Sequence, residues 1–133
     1  MAEFNCIVVT PESTVLDEQT SFVAIPLFDG EKGIGPHHAP LIARLGCGEL
    51  RLKRAGGETV RLYIDGGFVQ VADNVVSLLT DRAIPAEEVK EDAARDLLQT
   101  TLKRKAASDE EIDAREKTVN QARAQMRVAR RAK

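Results

Sequence analysis

Apolar and polar positions alternate with period two through the first two thirds of the chain. Phe4, Cys6 and Val8 stand alternately in one run, and Phe22, Ala24 and Pro26 are set against Val23, Ile25 and Leu27 in another. Leu50 and Leu52, then Val60, Leu62 and Ile64, then Val69 and Val71, then Val76 and Leu78 continue the pattern. Successive side chains of a strand point to opposite faces, so this spacing predicts strands that bury one face. Between the runs lie Thr10-Pro11-Glu12, Asp29-Gly30, Gly46-Cys47-Gly48, Ala55-Gly56-Gly57-Glu58, Asp65-Gly66-Gly67 and Asp73-Asn74. These are turn residues, and short strands joined by short turns read as antiparallel. Residues 1–85 are therefore expected to form a small antiparallel β-sandwich.

The period changes at Pro85. Every glycine, aromatic and proline of the chain lies at or before that residue, and the Ala, Lys, Arg, Glu and Gln that dominate afterwards favour uninterrupted helix. Pro85 suits the opening of a helix, with Glu87 and Glu88 at the positive end of its dipole. A first helix is expected from Ala86 to Lys105, with Val89, Ala93, Leu97, Leu98 and Leu102 as its apolar face. Ser108 and Glu111 have capping-box spacing and open a second helix. There Ile112, Val119 and Met126 recur every seven residues, with Ala122 and Ala129 between them, a narrow stripe suited to an antiparallel partner. The fold class is thus mainly β plus α: a sandwich, then a two-helix hairpin over residues 86–133. So few large side chains leave two states open, a hairpin that undocks reversibly and one that braces the sandwich permanently.

A formal charge of -2 argues against wholesale nucleic-acid binding, but from Lys117 onward there are six bases and no acid. Such an end fits an acidic partner or a solvated helix face. Cys6 and Cys47 are isolated, so neither a disulfide framework nor a zinc site is indicated, and a reducing compartment fits. No run approaches the roughly 18 apolar residues of a membrane helix, so work at a membrane would need another subunit as anchor.

Candidate chemistry is sparse. His37 and His38 lie between Pro36 and Pro40, but metal sites need three or four converging ligands, and adjacent residues of an extended segment point apart. Ser13, Ser21 and Ser77 lack a nucleophile elbow. Gly56-Gly57 and Gly66-Gly67 open no helix and read as turns rather than phosphate loops. No catalytic, metal or cofactor site is expected. A proline-stiffened contact loop fits residues 33–41 better. On the second helix, Arg123, Arg127 and either Arg130 or Arg131 follow at helical spacing as a cationic ridge.

The chain resembles the epsilon subunit of F-type ATP synthases along nearly its whole length. The matching segments fall in order: Val8-Val9-Thr10-Pro11-Glu12; Gly33-Ile34-Gly35-Pro36 with His38-Ala39-Pro40-Leu41; Asp65-Gly66-Gly67-Phe68 with Val71; and Leu78-Leu79-Thr80-Asp81. The resemblance implies a non-catalytic, central-stalk protein of a bacterial enzyme. It would turn with the gamma subunit and the c-ring so that proton flow stays coupled to ATP chemistry. It implies that the sandwich seats on gamma and the c-ring, with Glu31, Pro36, His38 and Pro40 in the c-ring contact. It further implies that the hairpin extends into the catalytic head and inhibits ATP hydrolysis, with Arg123, Arg127 and Arg130 toward an acidic segment of the beta subunit. The place implied is peripheral, at the cytoplasmic face of the plasma membrane.

Some relatives bind ATP through an Ile/Leu-Asp-x-x-Arg-Ala pattern at the start of the first helix. Here Val89 is followed by Lys90 and Ala93 stands at the Arg position, while Asp92 and Arg95 have the right spacing without the flanking residues. Added carboxylates repel a triphosphate, so weak or absent ATP binding is expected. A free-standing sandwich with a dimerising coiled coil explains the boundary at Pro85 but not the ordered segments. A metal enzyme using His37 and His38 would carry stoichiometric metal.

Overall fold

The computed structural model describes residues 3–132. Nine strands precede the helices: β1 (Phe4–Val9), β2 (Thr14–Leu27), β3 (Gly30–Ile34), β4 (Leu41–Arg44), β5 (Cys47–Arg54), β6 (Thr59–Asp65), β7 (Phe68–Ala72), β8 (Val75–Leu79) and β9 (Ala83–Pro85). A 3-10 turn (Ala86–Glu88) leads to helices α1 (Glu91–Lys103) and α2 (Asp109–Arg131).

Both layers of the sandwich come from one sheet folded on β2. Its path runs β4-β7-β8-β1-β2-β5-β6-β9, with β3 beside β2. The first half of β2 pairs with β1 and the second half with β5 and β3. The register slips between Thr20 and Phe22, where the strand changes layers. Thr20 is fully buried there; its hydroxyl donates to the Lys53 carbonyl and accepts from the Phe22 N–H at 3.3 Å, satisfying the polar groups that the slip unpairs. All strand pairings are antiparallel except β1 with β8, which is parallel.

The alternating positions close between the layers as expected, with Phe4, Cys6, Val8, Val23, Ile25, Leu50, Leu52, Ile64, Val69, Val71, Val76 and Leu78 in one core. Among the described residues, no helical one belongs to that core. Cys6 is 0% exposed within it, and burial, with the charges of Glu18 and Asp17 behind it, pushes its thiol up to about 12. Between the ordinary thiol pKa and about 12, the unfolded chain releases a proton that the folded one keeps. The stabilisation is fully present below the unfolded pKa and lost as pH rises through the window. Denaturant unfolding followed from pH 8 to 11 is expected to lose about 1.4 kcal/mol per pH unit above pH ~9 through this residue. Cys6→Ala is expected to reduce the slope by that amount, whereas an undiminished slope in the variant would place its origin elsewhere.

The helices depart from their expected phase. Instead of one helix from Ala86 to Lys105, the chain makes the 3-10 turn, extends through Val89 and Lys90, and starts α1 at Glu91. Val89 packs instead on a second apolar cluster with Tyr63, Ala86, Ala124 and Val128, and the backbone unwinds to deliver it. That break re-phases the helix: Ala94 and Thr101 are its buried residues, while Ala93, Leu97 and Leu102, expected as its apolar face, are exposed. On α2, Ser108 caps the helix as expected, accepting the Glu111 N–H at 3.1 Å. Arg115 donates to the carbonyls of Thr101 and Leu102, level with the end of α1. The turn before it lies past that end, which leaves Ile112 exposed.

Candidate functional site

Three surfaces carry chemistry. The first is the loop between β3 and β4. Its His37 has φ 58, and its backbone N–H donates to Asn74 Oδ1 at 2.7 Å, while Asn74 Nδ2 donates to the Glu3 carbonyl at 2.9 Å. His38 Nδ1 donates to the Ala39 carbonyl at 2.7 Å. Pro36 and Pro40 bracket this segment, so φ is fixed at two points and the β7–β8 turn holds its middle. Of the four residues expected to act together, the structure brings Pro36, His38 and Pro40 into this loop. It sets Glu31 on β3, ion-paired to Arg51.

The second surface is the outer face of β4, β7, β8 and β1. Register sets Phe68 opposite Leu79 on one side and Arg44 on the other, and pairs Val9 with Leu79, making one row across four strands. Phe68 is 61% exposed, Leu79 60% and Ile42 76%. Phe28, 69% exposed, lies under the Arg44 guanidinium at 4.7 Å from its ring centre. Exposed apolar side chains in contiguous rows mark interaction surfaces. A sequence reading passes over them, because the buried positions set the period-two pattern and the outward ones on these strands mix Phe68, Leu79 and Ile42 with Gln70 and Ser77.

The third surface is where α2 meets β5 and β6. Small residues four apart, Ala124 and Val128, pack on Tyr63 and Ala86. These two lie on a face of α2 other than the heptad stripe, and no periodic large residue announces them. Asp65, only 5% exposed, sits beside them. Its carboxylate accepts Gln121 Nε2 at 2.9 and 3.1 Å, Arg82 Nη2 at 3.1 Å and the Cys47 thiol at 3.2 Å. Burial, then the hydrogen bond to Asp65, pushes the Cys47 thiol up to about 11. Burial also raises the Tyr63 phenol, with the Asp65 charge behind it.

A cleft of ≈ 850 Å³ opens beside this contact, lined by Arg44, Asp81, Lys117, Arg123 and Arg127 among others. Arg123 and Arg127 share this cleft, and neither takes part in an ion pair among the described residues. Arg130 does not share it: its Nε reaches Glu91 of α1 at 3.1 Å, where Arg95 Nη2 also binds at 2.8 Å. Arg131, the alternative to Arg130, lies 3.8 Å from Glu49 on β5. Arg95 is further held by Asp92 at 3.2 Å, so the acids around α1's start spend its charge. No group of three or more His, Cys, Asp or Glu side chains converges to hold a metal among the described residues. Among them, too, no helix is long and apolar enough to cross a membrane.

Residues 3–86 match the family model for the ATP synthase delta/epsilon chain, beta-sandwich domain. The chain is 45% identical over 126 residues to the ATP synthase epsilon chain of Rhodopirellula baltica, covering 95% of this chain and 98% of that one. It is 32% identical over 132 residues to the sodium ion specific ATP synthase epsilon chain of Propionigenium modestum, covering 97% and 95%. Among solved structures, a chain of the Euglena gracilis mitochondrial ATP synthase superposes with a TM-score of 0.83 at 23% identity, covering 93% of this chain and 79% of that one. At that identity the likeness speaks for the fold.

Proposed function

The chain belongs to the family of ATP synthase epsilon chains, and from that membership we propose that it is a non-catalytic central-stalk subunit which couples proton-driven rotation to ATP synthesis. The observation that carries this reading is the apolar row of Phe68, Leu79 and Val9 on a face that the chain's own helices leave uncovered. A subunit that must transmit torque needs a broad, rigid, apolar seat, and a folded sheet supplies one. In this reading residues 1–85 seat on gamma through that row. Pro36, His38 and Pro40 meet the polar loops of the c-ring from the end of the sandwich held by Asn74, with Glu31 contributing from β3. Membrane association then comes through the complex alone, at the cytoplasmic face of the plasma membrane.

Residues 86–133 serve as the regulatory hairpin. Extended into the catalytic head, α2 turns Arg123, Arg127 and Arg130 toward acidic side chains of the beta subunit, within reach of its alpha neighbours, and restrains ATP hydrolysis. Arg123 and Arg127 are available for this at the cleft, and Arg130 becomes so when α1 and α2 separate. The hairpin binds ATP weakly or not at all in this reading, since Arg95 is neutralised by Glu91 and Asp92.

Hydrolysis by an epsilon-depleted catalytic core tests the arginines. The joint variant Arg123→Glu, Arg127→Glu and Arg130→Glu is expected to bind the core as before and lose most of its inhibition. Arg130→Glu also frees the hairpin from Glu91 and favours extension, so the loss must come from the missing contact in the head. Unchanged inhibition would remove the three arginines from the mechanism.

A further inference from the structure

The hairpin rests on the sandwich through a thin apolar contact, in which, among the described residues, α2 contributes only Ala124 and Val128 to the cluster around Tyr63. Beside it stands a buried carboxylate whose partners divide in an instructive way. Arg82 and Cys47 belong to the sandwich and stay with Asp65 whatever the hairpin does. Gln121 belongs to α2 and leaves with it, together with its two contacts at 2.9 and 3.1 Å.

A hydrogen bond to a charged acceptor is stronger than one between neutral groups, which makes the contact worth keeping. A neutral amide donor avoids the desolvation penalty that an arginine or lysine would bring at the same place. When α2 departs, Asp65 keeps the Arg82 guanidinium, so no unpaired charge is left to oppose release. The cleft alongside gives water a path to the freed carboxylate.

We infer that the Asp65–Gln121 contact is a release latch, which sets the balance between the docked and undocked hairpin. This deepens the regulatory role proposed above and rests on it, since a hairpin that never moved would need no latch.

The chain carries its own reporters. Cys47 lies at the latch, half-buried against the apolar cluster that the docked hairpin completes, and its thiol is held up to about 11, so little thiolate is present near neutral pH. Cys6, 0% exposed in the sandwich core, reports unfolding of the sandwich itself. Alkylation of the full chain by iodoacetamide, with each cysteine followed by mass spectrometry, separates the two.

Gln121→Glu sets a second carboxylate against Asp65 and is expected to speed Cys47 alkylation at least about tenfold, with Cys6 still unreacted. Added negative charge would by itself raise the thiol's pKa and slow the reaction, so acceleration reports undocking. Joining Gln121→Glu to Asp65→Asn exchanges amide and carboxylate across the contact and is expected to restore docking. Because Asp65→Asn alters the thiol directly, the exchanged pair is read by amide hydrogen exchange over residues 119–129, which returns to wild-type protection.

An unchanged Cys47 rate in Gln121→Glu overturns the latch. So does failure of the exchanged pair to recover protection, and so does a parallel rise at Cys6, which would make the contact part of the sandwich's own stability. All three readouts concern the isolated chain, so a failed latch and a failed stalk assignment are told apart.

Discussion

Replacing Phe68 by aspartate and Leu79 by lysine together will weaken attachment to the gamma subunit at least about a hundredfold and leave the sandwich folded. Each large apolar side chain removed from water contributes about 1.5 to 3 kcal/mol, and a few such anchors carry most of an interface's binding energy. Losing two therefore costs about 3 to 6 kcal/mol, which is a hundredfold or more in affinity. The new charges make it worse, because they would be buried without partners in gamma. The fold survives because both side chains point outward, at 61% and 60% exposure, and because the pair is directly opposed across β7 and β8. Opposite charges in that arrangement attract, where two aspartates would repel. Binding to immobilised gamma checks the first half and thermal unfolding the second. Affinity within about threefold of wild type would remove this face from the interface.

The second large effect falls on the turn that serves two of the three surfaces. Gly67→Ala will destabilise the sandwich by about 3 kcal/mol or more, lowering the melting temperature by over ~10 °C. Gly67 has φ +104, and a methyl added there would sit 1.9 Å from the Leu79 carbonyl oxygen and 2.8 Å from the Thr80 Cα. Those are backbone atoms of β8 and the loop after it, so relief requires moving a strand. Gly66 provides the control in the same turn. It has φ +72, but nothing lies within 4 Å of an added Cβ, so Gly66→Ala pays only the left-handed penalty of roughly 1 to 2 kcal/mol. Equal losses at the two glycines would contradict the steric argument. The turn matters for function because Asp65 enters it beneath α2 and Phe68 leaves it on the apolar face. The Gly67 carbonyl also accepts the Leu45 N–H at 2.8 Å, which ties the turn to the residue that follows β4.

The strands were legible because burial on one face writes period two into the sequence, and Val69, Val71, Val76 and Leu78 follow it without exception. The bend in β2 was not, since a buried Thr20 satisfying a register slip looks like any polar residue in a strand. The capping box at Ser108 was legible from two residues, whereas the phase of α1 depended on Val89 being drawn into a distant cluster. Ala124 and Val128 escaped notice because a helix that packs closely on a sheet uses small side chains, which leave little trace in a hydrophobic pattern. Asp65 read as a turn residue, and its second role needs the partner from 56 residues later. The arginine ridge was visible by spacing, but the sequence could not say that Arg130 faces Glu91 while Arg123 and Arg127 face the cleft.

The most direct test is ATP hydrolysis by an epsilon-depleted F-type catalytic core, titrated with the full chain and with a version ending at Ala86. That version retains β9 and the whole sandwich core. Both forms are expected to bind with similar affinity, and only the full chain to inhibit. If neither form binds, the chain does not act as a stalk subunit in that core. If the short form inhibits as well as the full chain does, regulation does not reside in the hairpin.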